Sequence, residues 1–549
     1  MSSMKKWSLV VILLVALVAL SLAACGPQDT EPESEPEESE EETTEPEEET
    51  TEPEELPRLT IAIQSEIQGT DPQQISTTST GVHHLIFTPP MSLGLENEDI
   101  LPWGASEVEV SDDGLEWRFT YDPSVEFHNG KPVTAEAAKE SIERYNVTGP
   151  YLADYESLEE MVVEGDTLIF KMSEPMPGIL PVLSSAYGAP IDVEEAEELG
   201  EEMFHRKAIG SGPYYVEEWV DGSHILLKRN DEYKDFLPFV DNNGPFHFSE
   251  VMVRFIPEPF TRVQEIRAGN VDMIADVPGE SLQELQDDPE VDVHEYLNSN
   301  TRHMQMNVER FPFTDKAVRE AVALALNRDE IAEGVGGIIE PVYGLIGPAM
   351  LNHDPEAEER FATQWAHDAE MASEILADAG WEENAEGILE KDGETLTFTL
   401  VFSGDNAIDS RAAPIIQNQL SQLGMDVELR EYETAYTREL IRESDFDMII
   451  RNWSWLDPGG VWYYGLHSSA SLAPWSAPDL DEMLDEVLFI ADDQERMDAW
   501  TAISERVWED IPIVPLWSDR LFVATRENVT GLHISVSGDL YYHDMQKSE

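Results

Sequence analysis

Residues 451–464 read RNWSWLDPGGVWYY, so that five rings, Trp453, Trp455, Trp462, Tyr463 and Tyr464, crowd around one carboxylate, Asp457, at an Asp-Pro-Gly-Gly turn. Indole and phenol rings offer large flat surfaces that stack on a peptide plane, a side chain or a sugar ring. A carboxylate among such rings lies in a low local dielectric, where a charge-assisted hydrogen bond to a cation is strong. Trp453 and Trp455 are two apart on a strand predicted from Phe446 to Trp455, which puts both on one face. Pro458-Gly459-Gly460 then bends the backbone so that the following rings return toward the same place. Two readings follow. Either the rings wall a pocket and Asp457 reads one charge inside it, or they fill the edge of a core and Asp457 opens the turn before Pro458.

Little else in the sequence suggests reaction chemistry. There is no Gly-x-Ser-x-Gly elbow, no P-loop and no His-Glu-x-x-His pair. Paired carboxylates could run a glycosidase, but 113 acidic residues make chance pairs inevitable. A secreted hydrolase therefore stands only as the alternative of a different class. His83 and His84 are adjacent, which on a strand points them to opposite faces, so they cannot chelate one ion together, although His83 could contact a ligand. His467, in GLHSSA, is a lone nickel ligand only if nickel is the cargo. With a single cysteine and no chelating His spacing, neither a preformed protein-only metal site nor a cofactor is expected.

That cysteine, Cys25, belongs to the start of the chain. Lys5 and Lys6 precede an apolar run from Leu9 to Ala24, the pattern of a signal peptide over residues 1–24. The run ends in Leu22-Ala23-Ala24-Cys25, which resembles the lipobox of bacterial lipoproteins and implies a lipid on Cys25. Residues 25–56 then carry repeated Glu-Pro with almost no apolar residue, a stretch expected to stay disordered and extended as an acidic tether. A lipid and a charged spacer would anchor the folded body outside the membrane without inserting it.

The formal net charge is -80. Sixteen acids and two bases precede Leu56, so the body still holds 97 acids against 31 bases. Nucleic acid and anionic lipid surfaces need a basic patch and are excluded as partners. A surface this acidic repels itself, and concentrated salt would screen it, the composition of a protein adapted to high salt.

Nearly 500 residues remain for two or three domains, with strand and helix periods interleaved, so a mixed α/β protein is expected. Leu115, Trp117, Phe119 and Tyr121 alternate with Glu116, Arg118 and Thr120 after Asp113-Gly114, as in a half-buried hairpin strand. His128-Asn129-Gly130-Lys131 marks a tight turn. Thr134 can cap a helix with Ala138, Ile142 and Tyr145 on one face. Thr314 precedes a second helical stripe of Val318, Ala321, Val322, Ala325 and Leu326, ending near Asn327.

Four segments carry a resemblance to a known family. EVSDDGLEWRFTYDPSVEFHNGKPVTAEAAKESIER (109–144), AIGSGPYYVEEWVDGSHILLKRNDEY (208–233), FTRVQEIRAGNVDMI (260–274) and Asn307 with FPFTDKAVREAVALALNRDEI (311–331) stand in the order found in the extracellular solute-binding proteins of family 5. These are receptor subunits of peptide and nickel ABC transporters. GVHHLIFTPPMSLGL (81–95) departs from the family's usual run, whereas Asp71-Pro72 keeps its opening. The resemblance implies a periplasmic-binding-protein-like type II fold of two lobes with two hinge crossovers plus a small inserted domain. Lobe one would comprise 57–95, 205–300 and 515–549, the insert 96–204, and lobe two 301–514. It further implies a monomer that takes an oligopeptide or dipeptide, or a nickel chelate or oligosaccharide, and hands it to ABC permease subunits. In the peptide receptors an Asp near the aromatic turn pairs with the ligand's α-ammonium, a role that would fall to Asp457. Arg302, at the first crossover, would clamp a ligand carboxylate bidentately or serve a hinge salt bridge.

Overall fold

Ile513–Arg526 is apolar on both faces over most of its length, the pattern of a strand covered on both sides, and it forms the spine of a twelve-stranded mixed sheet. The computed structural model describes residues 56–75, 80–95, 99–149, 155–470, 475, 477–535 and 538–548. The predicted signal peptide, Cys25 and the tether up to Glu55 lie outside them.

On one side of the spine the sheet runs through Asn300–Met306, Met448–Ser454, Thr397–Ser403 and Asp426–Tyr432. The last three are mutually parallel, and the helices Ala407–Ser421 and Thr434–Arg442 carry the chain between them. On the other side lie Met273–Ile274, Arg58–Ile63, Glu250–Phe255, His224–Arg229 and Tyr214–Val220. Parallel neighbours need a crossover, which is why each half is an α/β layer.

The spine changes partners midway. Ile513–Trp517 pairs with Asn300–Met306, whereas Arg520–Arg526 pairs with Val291–Leu297. Asn298 N donates to Asp519 O at 2.9 Å exactly where the neighbouring chain passes from one half to the other. Two segments, 297–300 and 518–520, thus run side by side between the halves.

Each half has its own core. Leu59, Ile61, Tyr214 and Val251 centre the first, and Met304, Val322, Leu400 and Ile416 the second. A third core, with Trp117, Phe119, Ile142, Tyr145 and Phe170, fills a four-stranded antiparallel sheet of Glu107–Val110, Glu116–Thr120, Thr167–Met172 and Leu158–Glu164 backed by the helix Ala135–Thr148.

Trp117 and Phe119 are buried and alternate with half-buried neighbours. Thr134 caps its helix, accepting from Ala137 N at 3.1 Å. Gly130 has φ +81° in the predicted turn, a conformation open to glycine. The later helix, Lys316–Ala325, is capped by Asp315, which accepts from Ala317 N at 3.0 Å, so Thr314 lies outside it. It ends at Ala325 because Asn327 caps the next helix, Arg328–Gly334.

Candidate ligand-binding wall at the strand crossover

Met448–Ser454 pairs antiparallel with Asn300–Met306, placing Trp453 opposite Thr301 and Arg451 opposite His303. These alternate positions share one face. There the rings of His303 and Trp453 lie parallel within 11° at 6.4 Å, the Arg451 guanidinium sits 4.6 Å over Trp453, and Trp462 tilts against His303 at 5.1 Å. Burial, aided by the neighbouring Arg451 charge, lowers the His303 pKa to about 3, so its ring is neutral. Burial likewise brings Arg451 down to about 9.

The strand stops at Ser454 rather than Trp455, and the predicted bend is the start of a helix, Gly459–Leu466, entered through Pro458. Its glycines make room for the tryptophans. A methyl group at Gly460 would fall 2.6 Å from Trp455 Cδ1, and one at Gly465 3.1 Å from Trp453 Nε1. Both indoles are therefore pressed onto one helix while remaining half-exposed. That is a rigid, half-buried aromatic wall packed against the edge of a core. Tyr463, also half-buried, stacks on His467 at 4.5 Å and donates to Asp485 at 3.2 Å, and Tyr464 is exposed.

Asp457 takes the second of its two predicted roles, opening the turn before Pro458, and not the first. Its carboxylate is 2% exposed, pairs with the buried Arg496 of helix Asp493–Asp510, and accepts from Gly460 N at 3.1 Å. A buried carboxylate needs a countercharge, and here the protein supplies it. Arg302 is likewise committed: it is 5% exposed and donates to Asp519 and to Asp409, each at 2.9 Å. Of its two predicted roles, the salt bridge is the one observed. Asn300 completes the cluster, donating to Asp519 at 2.9 Å and to Asn452 at 2.8 Å.

His83 and His84 lie on the helix Thr80–Ile86, not on a strand, and both are buried. His83 Nε2 is 3.0 Å from Gly69 O, apart from the aromatic wall. His467 Nε2 lies 3.4 Å from Asp485, and its Nδ1 faces Ser469 Oγ at 2.7 Å. No group of three or more His, Cys, Asp or Glu that could hold a metal ion occurs among the described residues. No described helix is long and apolar enough to cross a membrane.

The wall adjoins the third core: Leu351 N donates to Leu456 O at 2.9 Å, and both leucines pack in that core. A methyl group on Gly178 would lie 3.6 Å from Asp457 Oδ2. Sequence reasoning missed His303, Arg451, Arg496, Asp409 and Asp519. The usable signal was Gly460 and Gly465, small residues spaced to receive two large ones.

Residues 99–472, well over half of the chain, match the family described as bacterial extracellular solute-binding proteins, family 5 Middle. The chain belongs to this family. Among curated family 5 relatives, the oligopeptide-binding protein AppA of Bacillus subtilis (strain 168) is 26% identical over 463 residues, 80% of this chain and 81% of AppA. The probable D,D-dipeptide-binding periplasmic protein DdpA of Escherichia coli (strain K12) is 25% identical, with 78% and 81% covered. Among solved structures, NikA from Brucella suis in complex with Fe(III)-EDTA superposes with a TM-score of 0.76 at 23% identity, over 90% of this chain and 100% of NikA. AppA from Bacillus subtilis in complex with a nonapeptide gives 0.69 at 23% identity, with the same coverage. The fold is thus the periplasmic-binding-protein-like type II architecture, and the chain is a solute-binding protein of the ABC-importer class.

Proposed function

We propose that this protein is the extracytoplasmic receptor of an ABC importer, held at the membrane by a lipid on Cys25, and that it captures short peptides between two lobes. The observation that carries the reading is the pair Trp453 and Trp455, both half-buried and fixed against Gly465 and Gly460 beside the crossover. Stacked indoles hold peptide planes and side chains of many kinds, as a receptor of broad range requires. The names of the relatives AppA and DdpA point the same way.

In this reading the lobes turn about residues 297–300 and 518–520 as rigid bodies, and ligand bound between them favours the closed state. Because Asp457 is already paired with Arg496, it does not read the peptide's ammonium. Binding then depends little on whether the peptide N-terminus is free. The chain acts without catalysis, releases its cargo to permease subunits and works as a monomer. The excess of acid over base suits a surrounding medium rich in salt.

A metal chelate is the second cargo. The NikA likeness favours it, as does His467 beside the wall, 10% exposed in its side chain. The chelator would then supply most of the metal's ligands.

The test is thermal unfolding of residues 56–549 in high salt against peptides, N-acetylated peptides, nickel with small chelators, and oligosaccharides. A ligand at 100 times its Kd stabilises the folded state by about 2.7 kcal/mol. Equal shifts with free and acetylated peptides are expected; a shift with chelates alone would replace the cargo, and a shift with none would refute the receptor reading of the wall.

A further inference from the structure

The helices Lys316–Ala325, Pro355–Gln364 and Asp493–Asp510 enclose a surface cavity of about 400 Å³ that shares no residue with the aromatic wall. Its floor is Phe361, Trp365, Trp508 and Ile511, all buried. Trp365 and Trp508 stack within 16° of parallel at 4.2 Å, and Trp508 Nε1 donates to Tyr343 O at 2.9 Å, so the floor is preformed. Preformed floors bind without the cost of ordering side chains. Ile511 has φ +53° and ψ +49°, a left-handed conformation that a β-branched residue rarely adopts. Glycine would normally end a helix this way; isoleucine instead adds an apolar side chain to the cavity floor. The Trp365 indole N–H finds no acceptor among the described residues.

The rim is mainly acidic. Glu320, Glu505 and Glu509 face the single Lys316. Arg360 and Arg506 approach Glu505 and Glu509 only at 3.6 and 3.8 Å, and Glu320 makes no ion pair among the described residues. An apolar floor beneath an under-compensated acidic rim favours a ligand with one greasy end and one positive end.

We propose that this cavity is a second binding site, for a small amphipathic cation: an organic ammonium on an aromatic or branched apolar body, bound with the body on the tryptophan floor and the charge beside Glu320. The volume lies within the range of small-molecule pockets, roughly 300–1,000 Å³.

Phenylalaninamide, which carries a ring, an ammonium and a carbonyl acceptor, is the probe, titrated calorimetrically into the folded chain. The expected result is saturable binding to wild type, weakened about tenfold or more both in Glu320→Lys and when neutral N-acetylphenylalaninamide replaces the probe. Peptide binding at the wall should be unchanged in Glu320→Lys, which separates the two sites. No binding of phenylalaninamide to wild type, equal binding to Glu320→Lys, or equal binding of the acetylated compound would each overturn the proposal.

Discussion

Arg302 Nε donates to Asp519 at 2.9 Å although the two residues lie 217 positions apart, tying together the two strands that carry the chain between the halves of the sheet. The same guanidinium reaches Asp409 on helix Ala407–Ser421 at 2.9 Å. One cation therefore holds two carboxylates at the crossover. Burial raises the Asp409 pKa to about 6 against the pull of Arg302, a sign of how much its desolvation costs.

Removing that cation should be expensive. Arg302→Met leaves two buried carboxylates without countercharge and is expected to lower stability by about 3–5 kcal/mol. Arg302→Lys should recover only part of the loss, because an ammonium cannot fork between two acids. Chemical denaturation of the three proteins checks this; an unaffected Arg302→Met protein would mean the cluster is not structural.

Asp457 and Arg496 form a second buried pair, so each single truncation should cost about 3–5 kcal/mol and the double replacement by apolar residues much less than the sum. A double-mutant cycle on unfolding free energy reads the coupling directly. Additive losses would show that the pair does not interact as described.

Buried neutral histidines should make the protein acid-sensitive. Burial lowers His84 and His303 to about 3 and His128 to about 4. The unfolded chain takes up these protons below pH 6.5 while the folded chain does not, so stability is full above pH 6.5 and falls as pH drops toward 4. Each histidine contributes a loss of about 2 kcal/mol between pH 6.5 and 5. His303→Gln cannot ionise and should flatten its share of the slope, measured as unfolding free energy against pH.

Salt should act in the stabilising direction. The body's 97 acids against 31 bases repel one another, and raising salt from about 0.1 to 1 M shortens the screening length from roughly 10 to 3 Å. The melting temperature is expected to rise across that range for NaCl and KCl alike. A flat or falling curve would remove the argument for adaptation to salt.

What the sequence made legible was local. Thr134 as a cap, the Trp117/Phe119 alternation and the Gly130 turn each depend on neighbours a few positions away, and each was readable. The aromatic turn was visible as a motif, and its glycines tell where the rings go. Arg302 and Asp457 were read less completely because their partners, Asp519, Asp409 and Arg496, lie 217, 107 and 39 positions off. Nothing in the composition around an arginine says which distant acid will share its cavity. Likewise His83 and His84 fall on a helix because Val82, Leu85 and Ile86 pack into the first core, a tertiary influence that overrides strand-like local pattern.

The most direct measurement is calorimetric titration of one bound peptide into wild type and Trp455→Ala, with Trp453→Ala in parallel and the melting temperature of each variant recorded. If the wall holds the cargo, each variant stays folded and loses affinity by about tenfold or more, the worth of one well-placed aromatic contact. Unchanged affinity in both folded variants would contradict the assignment of this wall as the binding surface.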